Sequence, residues 1–568
     1  MTSAKLTNRR IRLLLAVFAL AFGVAFLRAA WLQGVRASSF GRVAASQHSE
    51  DVTIPAARGT IFDRGGVQLA IGEQATTVYA DPRLVRDARR EGAIAAQLLR
   101  LDPAQVETDL SDRTRDFVYV ARKADPARAA KLQRRHLAGF GFYPEERRFY
   151  PQSALAAQVL GYAGVDNHGL AGLELSLDRV LAGRPGRERI VKDASGQVID
   201  TVPSQTERDG RDVYLTLDHT IQANTQVVLK QTLARWHAKS ATAIVLDPRT
   251  GGVLAMAVAP SFDANAYPKT WRDFQRNRAV TDTYEPGSTF KLVTVAGALS
   301  ERLVSPSTSF VLQYSIHVAD RIIHDAEPRG TETMTVAQIL ARSSNVGAIT
   351  LAERLGQHRL AQWISRFGFG RPTGIDYPGE SPGIVVPEKH WSGSTIGNVP
   401  IGQGIAVTPI QLASAYAAIA NRGVWVRPHL VDHIGDGAAS VAPRRRIVTK
   451  GVAAQVLGML KNVVLDGTGT LAAVPGYQVA GKTGTAAKVD PDGTYSDSRY
   501  VASFVGIVPA SRPRLVILVS VDEPHGAIWG GVVAAPAFSQ IAQFDLQYLE
   551  GGITPDAPAT ATASLGTP

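Results

Sequence analysis

The sequence predicts an α+β fold in which an antiparallel sheet is completed late in the chain and is flanked by helices. Two β-rich runs, residues 242–246 and 253–258, are joined by a turn containing Pro and Gly, which is a hairpin pattern. A largely helical middle follows, strand-like runs return at 500–508 and 515–521, and a helix pattern over 535–549 closes the segment. Strands at both ends with helices between them favour layers of helices packed on one sheet.

A long apolar run near the N-terminus predicts a membrane anchor. Residues 13–32 follow four basic residues and approach the ~20 residues that a helix needs to cross a bilayer. Arg28 lies close enough to one end to reach the headgroups, where Trp31 would sit. We therefore expect a cytoplasmic N-terminus over residues 1–12, a single transmembrane helix over 13–32, and the rest on the outer side. A cleaved signal peptide is the alternative, but the length of the run favours an uncleaved anchor.

Length and composition restrict the classes of function. The 568 residues predict two or three domains, and the absence of cysteine excludes disulfides and thiolate metal sites. The 12 histidines show no metal-ligand spacing, so we expect neither a metal nor another cofactor. The net charge of +11 is spread along the chain without a basic stripe interleaved with aromatic residues, so no nucleic-acid partner is expected. A surface facing anionic envelope polymers, or simply a solvated basic surface, explains the charge.

Three segments follow the predicted anchor. Residues 45–203 mix strand and helix patterns, are expected to form an elongated α/β module, and contain no catalytic constellation. The polar, turn-rich joint at 204–210 predicts a boundary, with a second domain over 212–549. Residues 550–568 end in a stretch rich in Pro, Ala and Thr and are expected to be disordered.

Ser288 and Lys291 form an S-x-x-K pattern after the turn Glu285-Pro286-Gly287. A helix starting there would place both side chains on one face and would offer free backbone N–H groups to an oxyanion. A serine hydroxyl becomes a good nucleophile only when a base takes its proton, and a lysine with a lowered pKa can do so. No other serine in the chain has a lysine three positions on. By itself, the pattern also fits a helix-capping serine beside a solvated lysine.

Two further short motifs follow in order along the chain. Ser343-Ser344-Asn345 alone is typical of a turn or cap, and Lys482-Thr483-Gly484-Thr485 alone is an ordinary strand segment in which Gly484 permits a close backbone approach. The order S-x-x-K, S-x-N and K-T-G, at domain-scale separations, is the catalytic signature of active-site serine β-lactamases and penicillin-binding proteins. The joint occurrence therefore predicts an acyl-transfer site.

With these motifs, the chain resembles a class B penicillin-binding protein, a monofunctional D,D-transpeptidase of peptidoglycan synthesis. The likeness extends over nearly the whole chain. It includes segments 58–66, 69–70, 148–151, 160–162, 169–174, 402–404, 407–411 and 481–485. The resemblance implies that residues 45–203 are the family's pedestal (dimerisation-type) module and that 212–549 form a transpeptidase domain with a serine β-lactamase-like fold. The Arg and Asp residues of the first segments are expected to be structural rather than catalytic.

The resemblance also implies roles for the helical motif residues. Ser288 would attack the carbonyl of the penultimate D-Ala of a D-Ala-D-Ala stem peptide, with Lys291 as the base. Ser343 would relay a proton towards the leaving D-Ala, and Asn345 would hold the substrate amide. Which group takes the first proton is left open.

The strand motif is expected to bind the donor peptide. By resemblance, Lys482 would supply positive potential, and the hydroxyls of Thr483 and Thr485 would contact the terminal carboxylate. Gly484 would let the substrate backbone approach, and the backbone N–H groups of Ser288 and Thr485 would form the oxyanion hole. An amine of a neighbouring stem peptide would then resolve the acyl-enzyme, and β-lactams would acylate the same serine.

Several alternatives share this signature. A serine β-lactamase, a D,D-carboxypeptidase and a catalytically silent scaffold would carry the same motifs, and the predicted anchor and pedestal argue most against the β-lactamase. The segment before residue 212 has no obvious acidic pair for glycan polymerisation, so a partner is expected to make the glycan. The resemblance implies that this partner is a membrane-embedded polytopic glycosyltransferase, acting with other wall-synthesis proteins. Chain length and the start of the pedestal look more like the division (septal) branch, or its sporulation relative, than the elongation branch.

Overall fold

The computed structural model describes residues 3–34, 49–192 and 198–550. The predicted disordered tail, residues 550–568, lies outside the described residues except for Glu550, which ends a helix. Contacts within the chain define two compact units, one of Met1–Ala57 with Gly183–Gly210, the other of Arg58–Ala182 with Arg211–Pro568. The predicted domain limits, 45–203 and 212–549, stay a prediction.

Strands and helices are numbered in chain order. The strands are β1 (Ser49–Ile54), β2 (Ile61–Phe62), β3 (Gln68–Ala80), β4 (Val118–Ala124), β5 (Phe140–Phe149), β6 (Tyr162–Ala163), β7 (Gly169–Ala171), β8 (Gly186–Lys192), β9 (Val198–Gln205), β10 (Val213–Leu215), β11 (Ser240–Leu246), β12 (Val253–Ala259), β13 (Ser309–Leu312), β14 (Ser315–Val318), β15 (Arg321–His324), β16 (Glu332–Thr335), β17 (Ile384–Val385), β18 (Ile405–Ala406), β19 (Val424–Val426), β20 (Val431–Ile434), β21 (Arg444–Arg446), β22 (Ala480–Val489), β23 (Tyr495–Val508) and β24 (Leu515–Asp522). The α-helices are α1 (Ser3–Gly34), α2 (Ala88–Leu99), α3 (Pro103–Ser111), α4 (Pro126–Gln133), α5 (Ala157–Leu160), α6 (Gly172–Ser176), α7 (Asp178–Leu181), α8 (His219–Arg235), α9 (Arg278–Thr281), α10 (Lys291–Ser300), α11 (Val336–Ala341), α12 (Asn345–Leu355), α13 (Gln357–Phe367), α14 (Thr395–Asn398), α15 (Pro409–Ala420), α16 (Lys450–Leu465), α17 (Gly530–Val533) and α18 (Ala535–Glu550).

The first unit contains α1 and a three-stranded antiparallel sheet in the order β1-β8-β9. Within α1 the stretch Arg9–Gly34, with a mean hydropathy of 2.3, is long and apolar enough to cross a membrane. The predicted apolar helix is thus confirmed, and it begins ten residues before the predicted start because the preceding residues include no helix breaker. This helix fits a single-pass membrane protein.

A mixed sheet in the second unit joins distant parts of the chain. Its order is β20-β10-β2-β3-β4, with β5 also paired to β3, and β10 runs parallel to β2. Beside it, Glu174 is fully buried between Arg58, whose Nε lies 2.8 Å from Oε2, and Arg148, whose Nε lies 2.6 Å from Oε1. Because a buried carboxylate needs such partners, these residues hold the segment's geometry, which agrees with the structural role expected for Arg58.

A five-stranded antiparallel sheet lies at the centre of residues 211–550. Its order is β12-β11-β24-β23-β22, so the predicted hairpin (β11 and β12) and the late return of β23 and β24 are confirmed. Side chains alternate between the faces, so the sheet buries one set against α8 and α18 and the other against α10, α15 and α16. This is the predicted α+β arrangement of helices on a largely antiparallel sheet.

Asp545 on α18 is a carboxyl group buried in the interior of the protein. Its side chain is fully buried, and neither carboxylate oxygen has a hydrogen-bond partner among the described residues. Burial, together with the negative charge of Asp218 at the start of α8, raises the pKa of Asp545 well above its ordinary value. The folded state therefore keeps a proton that the unfolded state loses at about pH 4. The free energy of unfolding is highest below that pH and decreases as the pH rises from there to the pKa of Asp545 in the folded state.

Replacing Asp545 with asparagine is expected to stabilise the protein at pH 8 by about 1–3 kcal/mol, with a smaller gain at pH 5, because the substitution removes the charge and keeps the shape. Thermal unfolding at the two pH values measures this. The exposed Glu353→Gln serves as the charge-matched control. An equal shift at both pH values would contradict a buried, titrating carboxyl group.

Candidate active site

Ser288 lies in a tight turn immediately before α10. Residues Gly287–Phe290 form a 3₁₀ turn, and the α-helix begins only at Lys291, a few residues after the start that the sequence predicts. In a 3₁₀ turn, side chains three residues apart are eclipsed, which places Ser288 and Lys291 on the same side. Gly287 has φ +54°, and a Cβ there would lie 2.7 Å from the Thr485 carbonyl oxygen. Glycine is therefore required for the turn to approach β22.

Lys291 is fully buried and makes three contacts with the S-x-N motif. Its Nζ donates to the Ser343 carbonyl oxygen at 2.5 Å and to Asn345 Oδ1 at 2.8 Å, and lies 3.2 Å from Ser343 Oγ. Burial lowers the pKa of Lys291 to about 7, although the negative charge of Asp325 opposes the shift. A neutral amine would donate two N–H groups to the carbonyl and amide oxygens and keep a lone pair for a hydroxyl proton.

The S-x-N motif connects α11 to α12, as the sequence predicts. Ser344 caps α12 by accepting from the Gly347 N–H at 2.9 Å. Ser343 adopts a left-handed backbone conformation, φ +60°, which is costly for a residue with a side chain and is found mostly where a site requires it. In this conformation its carbonyl and hydroxyl oxygens both lie within reach of Lys291.

Asp325, a residue that the sequence analysis missed, holds this loop. Its carboxylate accepts from the Ser344 hydroxyl at 3.0 Å and from the Val346 N–H at 3.0 Å, and it pairs with Arg329 at 2.6 Å. The Asp325 and Arg329 side chains are 7% and 12% exposed, so solvent screens the pair little. No motif marks Asp325 in the sequence, where it follows a short strand as an ordinary turn residue.

The K-T-G motif lies on β22, the outermost strand of the five-stranded sheet. Lys482 is fully buried, with Nζ 3.2 Å from Thr483 Oγ1, which in turn lies 2.7 Å from Thr468 Oγ1. Thr485 Oγ1 accepts from the Gly530 N–H at 3.1 Å, so its own proton is left to donate elsewhere. An edge strand with hydroxyl donors beside it can receive an extended peptide as an added strand.

The positive charge of Lys291 acts on Lys482. The pKa of Lys482 is well below its ordinary value because of burial and because of the positive charge of Lys291. An anionic substrate group close to Lys482 would reverse this effect by favouring the charged ammonium.

A cleft of about 700 Å³ is lined by residues that are close in sequence to two of the motifs, but by none of the motif residues themselves. Its lining includes Glu285, three residues before Ser288, and Gly404, whose N–H donates to Glu285 Oε1 at 2.8 Å. On the other side, Ala486 and Ala487 continue β22 beyond the K-T-G motif. The volume lies within the range of binding sites for small molecules and short peptides.

The structure brings together most of the predicted site. Lys291, Ser343 and Asn345 are in direct contact, and the Ser288 turn packs against β22. A direct hydrogen bond between Ser288 Oγ and Lys291 is not formed within the described residues, which is common before substrate binds. A partly exposed serine, a buried lysine and an edge strand, on a sheet flanked by helices, define an active-site serine acyltransferase.

Comparisons with known proteins agree with this class. The penicillin binding protein transpeptidase domain family matches residues 241–543, and the penicillin-binding protein dimerisation domain family matches residues 53–215. Peptidoglycan D,D-transpeptidase FtsI of Escherichia coli is 33% identical over 567 residues, which cover 98% of this chain and 94% of that protein. Penicillin-binding protein PbpB of Mycobacterium tuberculosis is 36% identical over 568 residues, which cover 94% of this chain and 83% of that protein.

A solved structure gives the same result. The crystal structure of penicillin binding protein 3 from Mycobacterium tuberculosis, complexed with aztreonam, is similar with a TM-score of 0.70 and 32% identity, covering 89% of this chain and 99% of that chain. The chain belongs to the class B penicillin-binding proteins.

Proposed function

We propose that this protein is a peptidoglycan D,D-transpeptidase that cross-links stem peptides through an acyl-enzyme on Ser288. The observation that carries the proposal is the convergence of Ser343 and Asn345 on the buried amine of Lys291, one turn from Ser288. A base with a pKa near 7 can hold its lone pair at neutral pH and still accept a proton, which suits general-base catalysis.

Acylation would begin when the Ser288 hydroxyl gives its proton to Lys291 and attacks the carbonyl of the penultimate D-Ala. The backbone N–H groups of Ser288 and Thr485 would stabilise the oxyanion. The N–H of Ser288 belongs to the first residues of a helical turn, which have no partner inside it, and Thr485 lies on the edge strand β22. Ser343, in contact with Lys291, would carry the proton to the nitrogen of the departing D-Ala.

Donor binding would use β22. The terminal carboxylate would accept from the hydroxyls of Thr483 and Thr485 and would favour the charged form of Lys482. Gly484 would let the peptide backbone approach. Packing within the protein also requires glycine there, because a Cβ would lie 2.4 Å from Ser503 Oγ and 2.9 Å from the Pro286 carbonyl oxygen. Asn345 would orient the substrate amide. The amine of a second stem peptide would then attack the acyl-enzyme and regenerate Ser288.

The membrane arrangement and the partners are part of the same proposal. With α1 as a single-pass anchor in the bacterial inner membrane, the basic N-terminal residues would be cytoplasmic and the catalytic part extracytoplasmic. A polytopic glycosyltransferase would make the glycan strands that this enzyme cross-links. The match to FtsI over 98% of the chain supports a septal role in cell division.

Intact-protein mass spectrometry after incubation with benzylpenicillin tests the assignment of Ser288. We expect a mass increase of one penicillin on the protein, and none on Ser288→Ala, because the acyl bond forms at that hydroxyl. Ser300→Ala, at the end of the helix α10 that follows Ser288, is the matched control and should be acylated like the unaltered protein.

Other outcomes would overturn the proposal. Rapid penicillin hydrolysis without a lasting adduct would indicate a β-lactamase, and neither adduct nor hydrolysis would indicate a silent scaffold. An adduct on Ser288→Ala would place the nucleophile elsewhere.

A further inference from the structure

The side chains of Arg366, Arg371 and Arg445 lie close together at the C-terminal end of helix α13. Arg445 Nη1 donates to the carbonyl oxygen of Arg366, and Arg371 Nη2 donates to that of Ser365. In the part of the chain that the structure describes, none of the three arginines forms an ion pair with a carboxylate. Burial and the positive charges of Arg371 and Arg366 lower the pKa of Arg445 from its ordinary value. The cluster is therefore an uncompensated concentration of positive charge.

Aromatic rings hold two of these guanidinium groups in place. The Arg445 guanidinium lies 4.7 Å from the centre of the Trp425 ring, and that of Arg366 lies 4.9 Å from the Trp363 ring. Such stacking orients a guanidinium without using its N–H groups, which stay available for a ligand.

A small cavity, here called the arginine pocket, opens between Arg371 and Arg445. Its volume is about 80 Å³, and Thr373, Ser414 and Trp425 also line it. Ser414 belongs to the buried helix α15, is only 2% exposed, and its hydroxyl has no hydrogen-bond partner among the described residues. Because one liquid water occupies about 30 Å³, the space suits a group the size of phosphate rather than a nucleotide.

Capping of α13 explains only part of this arrangement. Basic side chains near a helix C-terminus are stabilising, which accounts for the contacts of Arg371 and Arg445 with backbone carbonyls. It does not account for the cavity or for the buried hydroxyl of Ser414. Each guanidinium has five N–H groups, most of which these contacts leave unused. Glu380, the carboxylate bound to Thr373, accepts from the Thr373 hydroxyl at 2.6 Å and not from an arginine.

We propose that the arginine pocket is a binding site for a phosphate-bearing anion, separate from the transpeptidase site. Arg371 and Arg445 pair with the phosphate oxygens, and the Ser414 hydroxyl donates to the anion from the buried end of the pocket. Arginine is suited to this because its planar fork binds phosphate oxygens with two parallel hydrogen bonds. The proposal does not depend on the chemistry at Ser288.

Isothermal titration calorimetry of the full-length protein in zwitterionic-lipid nanodiscs tests the site. Inorganic pyrophosphate serves as the soluble probe and a short-chain phosphatidic acid, below its micelle concentration, as the lipid-headgroup probe, both at constant ionic strength. We expect saturable binding of at least one probe, and at least about tenfold weaker binding by Arg371→Gln, because one charged donor pair is lost.

Matched variants separate the pocket from general positive charge. Arg444→Gln, on an exposed neighbour of Arg445, should keep its affinity, and Ser414→Ala should weaken binding without changing the net charge. The melting temperature of each variant in chloride alone reports whether it is folded. Binding of pyrophosphate alone identifies a soluble phosphate ligand, and binding of the lipid alone identifies a headgroup. Absence of saturable binding of either probe, or equal weakening by Arg444→Gln and Arg371→Gln, would overturn the proposal.

Discussion

Replacing Lys291 with alanine is expected to slow the acylation of Ser288 by about 10²- to 10⁴-fold, the usual contribution of a general base. Lys291 is the group whose amine is buried against Ser343 and Asn345, and the substitution leaves the Ser288 hydroxyl without that base. The second-order rate constant of acylation, followed with a chromogenic cephalosporin, measures the effect. Lys230→Ala, on the exposed face of α8, is the control for loss of a lysine.

The pH dependence of acylation follows from the same residue. Because the pKa of Lys291 is about 7, the amine is protonated below that pH and cannot accept the Ser288 proton. The rate constant is therefore expected to rise with pH through about 7 and then level off. A flat profile between pH 6 and 8, or a Lys291→Ala protein acylated at the normal rate, would remove Lys291 from the role of base.

Replacing Asp325 with alanine is expected to lower the free energy of unfolding by about 3 kcal/mol, because it leaves Arg329 as a nearly buried cation without its partner. It also removes the acceptor of the Ser344 hydroxyl and the Val346 N–H, so the turn that presents Ser343 and Asn345 should loosen and acylation should slow. Thermal unfolding and the acylation rate constant, measured on the same samples, test both effects.

Two further variants sharpen this test. Asp320→Ala removes an exposed carboxylate from the neighbouring turn and should change neither quantity appreciably. The double variant Asp325→Ala with Arg329→Ala should recover part of the lost stability, because the uncompensated charge is gone. If Asp325→Ala melts and acylates like the unaltered protein, the carboxylate does not hold the loop.

Local features of the fold were predictable because short stretches of sequence encode them. The hairpin of β11 and β12, the N-cap of α8 at Asp218 and the apolar helix α1 depend on periodicity, turn residues or capping within a few positions. The pairing of β10 with β2 and β20 was not predictable, because the sequences of these short strands do not specify which strand, more than a hundred residues away, they pair with.

The candidate site shows the same division between sequence and tertiary structure. The sequence by itself determined the candidate nucleophile, its lysine and the two later motifs, since an i,i+3 spacing places Ser288 and Lys291 on one side in either an α-helix or a 3₁₀ turn. Only the tertiary structure decided what surrounds the Lys291 amine, because Ser343 and Asn345 lie 52 and 54 positions further along the chain. The chemistry of that amine depends on burial and on the distances to Ser343, Asn345 and Asp325, and these are properties of packing that no local pattern records.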